Sequence, residues 1–302
     1  MPPCRVHTLS SSRCSLSVVP TGARILSLAN PVTGREWLWA PQQTPLDYWR
    51  AHDGEVPQRP MIAVDECFPT VAACTLNGAD HPAHGEVWTR AWEIAGQQTA
   101  EIGGAIDAEI ALTTFDGRLK RRAVVSGDGV LLEYELENRG SEARPYLWAL
   151  HPLLRWETGD RIELSSAVKE VRVSAFHSAA IAKGARVSWP AASTDAILDR
   201  GIFGADTPGY AKVFAGPETG GVATLVHGAT GEKLIFRWDV AEQPWLGIYI
   251  CSGGRNGFWH AALEPTTSPH EALSDAVADG TAGSIAPKSK KTWKVSIELA
   301  AA

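Results

Sequence analysis

Cysteine is scarce in this chain, with five among 302 residues: Cys4, Cys14, Cys67, Cys74 and Cys251. The count is odd and no C-x-x-C pair occurs, so neither a disulfide framework nor a structural zinc site is expected. No run of ~20 apolar residues is available to span a bilayer. The opening MPPCRVHTLSSSRCSLSVVP carries Arg5, His7 and Arg13 where a secretory signal would have its apolar stretch. Lysine and arginine form no runs. The 28 of them stand against 34 Asp and Glu, a net charge of −6, which argues against a nucleic-acid partner. Also missing are a Gly-x-Ser-x-Gly elbow, a G-x-x-x-x-G-K-[ST] phosphate loop and a G-x-G-x-x-G turn between strand and helix. These absences lead to an expectation of a soluble cytoplasmic protein with no membrane or nucleic-acid partner and no metal or nucleotide cofactor.

What is present is an ordinary globular composition, 44% hydrophobic and 21% charged. A chain this long buries roughly 75% of its unfolded surface, so its core needs no covalent staple. The local pattern is β. Leu16–Leu28 reads as two short apolar runs split by Pro20-Thr21-Gly22, a hairpin signal. Between Val130 and Glu137, Glu133, Glu135 and Glu137 alternate with Tyr134 and Leu136, the period of a half-buried strand. Similar runs occur at Arg161–Leu164, Lys169–Ser174, Gly221–Val226, Glu232–Trp238, Leu246–Cys251 and Thr292–Leu299. The best helical stretch is Pro269–Ala276, and Pro41–Pro69, with five prolines, reads as a long irregular loop. No repeat or composition break divides the chain. The expectation is one domain over residues 1–302, an all-β sandwich of two large sheets.

Three clusters set an ionisable residue at the end of an apolar run beside a Gly or Pro: Asp80-His-Pro-Ala-His84-Gly85-Glu-Val-Trp88, Asn138 through His151-Pro152, and Trp259 through Glu264-Pro265. Strand ends beside turns are where a rigid scaffold presents side chains to a concave surface. His151 is held extended by Pro152. It reads either as a core histidine bonded to a carbonyl or as a general acid titrating near neutrality. Glu264 reads as an exposed strand-end carboxylate or, if buried, as a general base. His84 before Gly85 is a turn histidine or a ligand contact. His81 and His84 are too irregularly placed to suggest a metal. Asp65-Glu66 could serve a glycosidase only with a partner carboxylate, and Glu264 is the sole comparable one. The 12 Trp suit a core, an interface or a sugar platform equally.

Taken in order, Gly22–Leu28, Thr33-Gly-Arg-Glu-Trp37, His84-Gly85, Leu136-Glu-Asn138, Leu150-His151-Pro152 and Ala262-Leu-Glu264-Pro265 resemble the aldose 1-epimerase (galactose mutarotase-like) superfamily. The resemblance runs from about residue 16 to the C-terminus. It implies a large antiparallel β supersandwich with an open concave face that binds a monosaccharide, no cofactor, and interconversion of α and β anomers of a hexose or hexose derivative. By resemblance, His151 is the general acid on the ring oxygen, Glu264 the base for the anomeric hydroxyl, and His84 a contact near the ring oxygen. An acid and a base on opposite sides of the ring then suffice.

Two departures are visible. Where many mutarotases have Asn-Arg ahead of His-Gly, this chain has Asp65-Glu66, which suggests different hydroxyl recognition. The family's central Asp falls on either Asp206 or Lys212, and Lys212 with Arg90 or Arg122 could receive an anionic group on the sugar. Trp88, Trp148, Trp245 and Trp259 lie near the clusters, and Trp245 and Trp259 are the expected stacking platforms. A non-catalytic carbohydrate-binding protein on the same scaffold is the alternative. An interaction module would instead place His151 and Glu264 too far apart to flank one ring. Monomer and homodimer both remain open.

Overall fold

A computed structural model describes residues 5–51, 61–99, 103–176, 181–189, 208–217 and 219–302. It is all-β, as expected, and every pairing between its strands is antiparallel. Among the described residues the larger sheet runs, in spatial order, through His7–Ser10, Ser15–Val18, Ile25–Ala29, Val64–Cys67, Ala149–Pro152, Trp259–Thr266, Trp245–Ser252, Gly209–Ala215, Glu170–Phe176 and Arg186–Ser188, with Leu154–Arg155 also pairing to Trp259–Thr266. The second sheet has eight strands: Arg161–Leu164, Val222–Val226, Lys233–Trp238, Ser289–Ala300, Gly129–Asn138, Gly117–Ser126, Gly104–Ala111 and Glu93–Thr99. One apolar core fills the space between them.

Period-2 patterning selects the faces. In Gly129–Asn138 every second residue is buried, so Val130, Leu132, Tyr134 and Leu136 face the core and Glu133, Glu135 and Glu137 face outward. Lysines on the neighbouring strand meet those outer carboxylates, Lys290 on Glu135 at 2.9 Å and Lys294 on Glu133 at 2.7 Å. The strand runs read from the sequence all form, with ends within three residues of those read, and the Leu16–Leu28 hairpin closes across Ser15–Val18 and Ile25–Ala29.

Two local expectations are corrected. Residues 41–69 are not one irregular loop: Pro45–Ala51 is helical and Val64–Cys67 is a strand of the larger sheet, while 52–60 lie outside the described residues. The helix starts on a side-chain cap. The Thr44 hydroxyl donates to Asp47 Oδ2 at 2.6 Å and accepts from the Asp47 amide at 3.2 Å, with Pro45 at the first turn where no N–H is needed. The later helix is also shorter than Pro269–Ala276, spanning Leu273–Ala278.

The two sheets are tied by a buried polar knot. Glu66 Oε1 accepts from Arg121 Nη1 at 2.9 Å and from the Tyr134 hydroxyl at 2.8 Å, and its Oε2 accepts from Trp148 Nε1 at 3.0 Å. Arg121 also donates to the Ala23 carbonyl. Glu66 is fully buried and faces the inter-sheet core, as alternation requires when its neighbour Asp65 faces the other side. Its expected part in hydroxyl recognition is therefore replaced by a structural one.

Candidate active site

The site lies on the face of the larger sheet turned away from the second sheet. Ala149 pairs with Thr266 across antiparallel strands, so two residues further on His151 stands opposite Glu264. Pro152 and Pro265 interrupt the ladder just there, and the Thr266 hydroxyl and Thr267 amide fasten the strands by donating to the Trp148 carbonyl at 3.1 and 3.0 Å. Following the registers sideways gives one row across five strands: Asp65, His151, Glu264, Gly247 and Phe214. The adjacent row holds Ala262, Tyr249, Lys212 and Ala175. Small residues at 247, 262 and 175 leave the face hollow. The resulting cavity has a volume of about 420 Å³, within the range of small-molecule sites.

Glu264 is the centre of this cavity and is 2% exposed. Its Oε2 is ion-paired with Lys212 Nζ, and its buried Oε1 has no hydrogen-bond partner and lies 3.7 Å from His151 Nε2. Lys212 comes from two strands away, about 10 Å at normal strand spacing. It reaches Glu264 only because Gly247, on the strand between, has no side chain: a Cβ there would sit 3.1 Å from Glu264 Oε2 and 3.3 Å from Lys212 Nζ. Glu271, at the rim, is 4.0 Å from the same ammonium.

Two more histidines line the hollow. His84 sits at φ +61°, and Gly85 after it at φ +71°, where a Cβ would strike the Phe68 carbonyl. Glu86 pins this turn by accepting from the amides and hydroxyls of Thr113 and Thr114 and from Arg90 at 2.8 Å. The His84 and His151 rings meet edge-on at 4.6 Å. His260 contacts Trp39 at 4.6 Å and Tyr249 at 5.4 Å. Burial pushes the His151 imidazole down to about 3, with the cation of Lys212 and the neighbouring His260 adding to it. Burial likewise pushes His260 to about 4 and holds His84 well below the usual imidazole range. All three rings are neutral at pH 7. His151 is thus not a group titrating near neutrality.

Asp65 does not reach the cavity. It is 2% exposed, lies beneath His84 with Oδ2 3.9 Å from His84 Nδ1, and is ion-paired with the fully buried Arg24 at 2.5 Å. Burial raises its carboxyl to about 6 against the pull of Arg24. Ligand-capable atoms of Asp65, His84 and His151 lie within 4.8 Å of one another. The group does not suit a divalent cation: Arg24 already holds the carboxylate, and Lys212 would be a second like charge in the same desolvated space.

The sequence expectations divide clearly. His151, Glu264, His84 and Lys212 all line the cavity. Trp259 turns to the inter-sheet core and Trp245 packs over Gly216, so neither lines it. Trp148 is sealed in the core, and Trp88 touches the His84 ring from behind at 5.3 Å. Arg90 and Arg122 are occupied by Glu86 and Asp107, away from the cavity. Asp206 lies outside the described residues. The aromatic wall is made instead by Trp39, Tyr249 and Phe258, the first and last 5.1 Å apart. The cavity's guanidinium is Arg255, stacked on Tyr210 at 4.1 Å. Trp39 follows Trp37 and Leu38 in an unbroken apolar, buried run, so nothing local distinguished this cavity-facing Trp from the core one two residues before it.

Comparison with known proteins identifies the family and the fold. The sequence model of the family described as aldose 1-epimerase matches residues 5–299. No curated protein matches the chain. Among solved structures, the Slr1438 protein from Synechocystis sp. PCC 6803 is 16% identical with a TM-score of 0.77, covering 100% of this chain and 98% of that one. A galactose mutarotase-like protein from Clostridium acetobutylicum is 13% identical (TM-score 0.72, 99% and 96% covered). Another from Lactobacillus casei is 16% identical (TM-score 0.67, 98% and 100% covered). At such identities these similarities show the fold.

Proposed function

Because this chain belongs to the aldose 1-epimerase family, we propose that it is a mutarotase, interconverting the α and β anomers of a hexose or hexose derivative. The observation that carries the reading is Glu264: a buried carboxylate at the floor of a sugar-sized cavity, one oxygen paired and the other unpartnered beside His151 and Lys212. Opening the hemiacetal removes the O1 proton while O5 gains one. O1 and O5 are both bonded to C1, so the base and the donor must stand side by side rather than across the ring. A carboxylate with donors on both flanks meets that demand.

In this reading Glu264 Oε1 takes the O1 proton. His151 Nε2 and His84 hydrogen-bond the sugar around its ring oxygen. The faces of Trp39, Tyr249 and Phe258 cover its C–H surface. Arg255 has no carboxylate partner among the described residues, so the same cavity admits a sugar with an acidic substituent at that end. Among the described residues no helix is long and apolar enough to cross a membrane. Cys14, Cys67, Cys74 and Cys251 are free thiols, which supports a reducing, cytoplasmic setting.

The test is anomeric exchange followed by NMR across neutral and anionic monosaccharides. Wild type should accelerate at least one sugar above its spontaneous rate. Glu264→Gln should lose about 10²–10⁴-fold, and Arg255→Ala should raise KM for anionic sugars alone. A wild-type protein that binds sugars but accelerates none would favour the non-catalytic carbohydrate-binding reading.

A further inference from the structure

We propose that Glu271 is a specificity-determining residue that, with Lys212, binds the hydroxyl on C2 of the sugar, an inference that rests on the mutarotase reading of the same site. Strand order sets which side of the sugar each group meets. His151, Glu264, Gly247 and Lys212 stand on four successive strands of the larger sheet, so His151 and Lys212 flank Glu264 from opposite sides. Glu264 Oε1 faces His151 Nε2 at 3.7 Å, and Oε2 is paired with Lys212 Nζ. C1 of a pyranose has two ring neighbours, O5 and C2. With O1 on Glu264 and O5 on the His151 side, C2 falls on the Lys212 side.

That side is equipped for a hydroxyl, which is donor and acceptor at once. Lys212 is 6% exposed and offers three N–H groups, of which Glu264 takes one. The Glu271 carboxylate accepts only. It lies 4.0 Å from Lys212 Nζ, too far for a direct hydrogen bond, and has no hydrogen-bond donor of its own among the described residues. Two bonds of ordinary length, about 2.8 Å each, span that gap at a single oxygen. The 2-hydroxyl would then accept from Nζ and donate to Glu271.

The main chain holds Glu271 in place. Its carbonyl accepts from the Val71 and Ala72 amides at 2.9 and 2.7 Å and from the Thr70 hydroxyl at 3.2 Å, and that hydroxyl accepts from the Leu273 amide at 3.0 Å. None of these bonds involves the side chain, which is 39% exposed at the cavity rim. The side chain can therefore be changed without releasing the turn. The placement also agrees with Arg255. C2 and C5 lie opposite one another across a pyranose, so a C2 held at Glu271 sends the C5 substituent the other way. Glu271 follows one end of the Trp259–Thr266 strand and Arg255 precedes the other.

The experiment uses the full chain and the hexose that wild type exchanges fastest, D-glucose, D-galactose or a 6-substituted derivative of either, with its 2-deoxy and 4-deoxy forms. Exchange is followed by NMR for wild type, Glu271→Ala and Glu271→Gln, with urea midpoints to check folding. Glu271→Ala should raise KM for the parent and the 4-deoxy sugar by about 10–10²-fold, the worth of a hydrogen bond to a charged group. Its kcat should stay within about threefold, because the contact is made in ground and transition states alike. For the 2-deoxy sugar its KM should stay within about threefold of wild type, a selectivity that a merely structural role would not produce. Comparing proteins on one sugar at a time cancels the different intrinsic reactivity of the 2-deoxy compound. Glu271→Gln keeps an acceptor oxygen and should fall between wild type and Glu271→Ala. An equal change in KM for parent and 2-deoxy sugars, an unchanged KM for the parent, or insensitivity of the 4-deoxy sugar in place of the 2-deoxy one would overturn the assignment while leaving the mutarotase reading intact. Wild-type protein inert on every sugar would sink both.

Discussion

Replacing Gly247 with alanine should damage the chemistry while sparing the fold. The residue lies in the middle of the Trp245–Ser252 strand, and its φ is outside the left-handed region, so alanine fits the backbone. Its new methyl would meet Glu264 Oε2 at 3.1 Å, Lys212 Nζ at 3.3 Å and Phe214 Cε1 at 3.3 Å. These separations are a few tenths of an ångström too short, so the ion pair must lift off the sheet by that much. Misplacing reacting groups by 1 Å costs about 10²-fold, and a shift of a few tenths should cost roughly three- to tenfold in exchange rate. Stability should change by less than about 1 kcal/mol, because crowding of about that size is offset by the lower unfolded-state entropy of alanine. Gly247→Val, with two more methyls in the same space, should lose about 100-fold or more. The assays are anomeric exchange by NMR and the urea midpoint of each variant. An unchanged rate in both variants would refute the claim that a missing side chain brings Lys212 onto Glu264. Loss of stability in proportion to rate would refute the claim that the effect is local.

Two further predictions concern stability. His151 and His260 are buried neutral, with folded values of about 3 and 4 against about 6.5 unfolded, so both favour the folded state above pH 6.5 and lose that contribution as pH falls. From pH 7 to 5 each should cost about 2 kcal/mol. Asp65, raised to about 6, works in the opposite sense and returns about 1 kcal/mol. These three groups together should lower stability by about 3 kcal/mol across that interval; His84 acts in the same direction, and the carboxyls of Glu36 and Glu66, raised by burial, oppose it. The check is therefore the urea midpoint of His260→Phe against wild type, whose loss between pH 7 and 5 should be about 2 kcal/mol smaller, and an equal loss would contradict a buried neutral ring. Arg121→Met should cost about 3–5 kcal/mol by leaving Glu66 buried without its cation. Adding Glu66→Gln should recover part of this, since it removes the buried charge and the amide oxygen still accepts from Tyr134, while Trp148 Nε1 loses its acceptor. Failure of the second change to compensate would show that Arg121 acts through packing instead.

Much of the fold was legible locally. Alternation along Val130–Glu137 marks the two faces of a strand because each residue's burial is set by its own parity. His151-Pro152 and Glu264-Pro265 marked the places where ladders stop. The Thr44-Pro45-Leu46-Asp47 cap was also readable, yet the surrounding prolines outweighed it. The cavity's membership was less legible. Trp259 and His260 are neighbours in sequence and face opposite sides of one sheet, while Trp39 and Phe258 meet from ends of the chain more than 200 residues apart.

The sequence alone determined that the chain is a β sandwich, which end-of-strand residues were chemically suspect, and which family they resemble, because period, turns and short motifs are properties of contiguous residues. Only the tertiary structure decided that His151 and Glu264 share a row, that Lys212 crosses Gly247 to join them, and that Asp65 and Glu66 are taken up by Arg24 and Arg121. Those facts depend on strand register between segments far apart in the chain, where a shift of one residue would turn every one of these side chains to the other face.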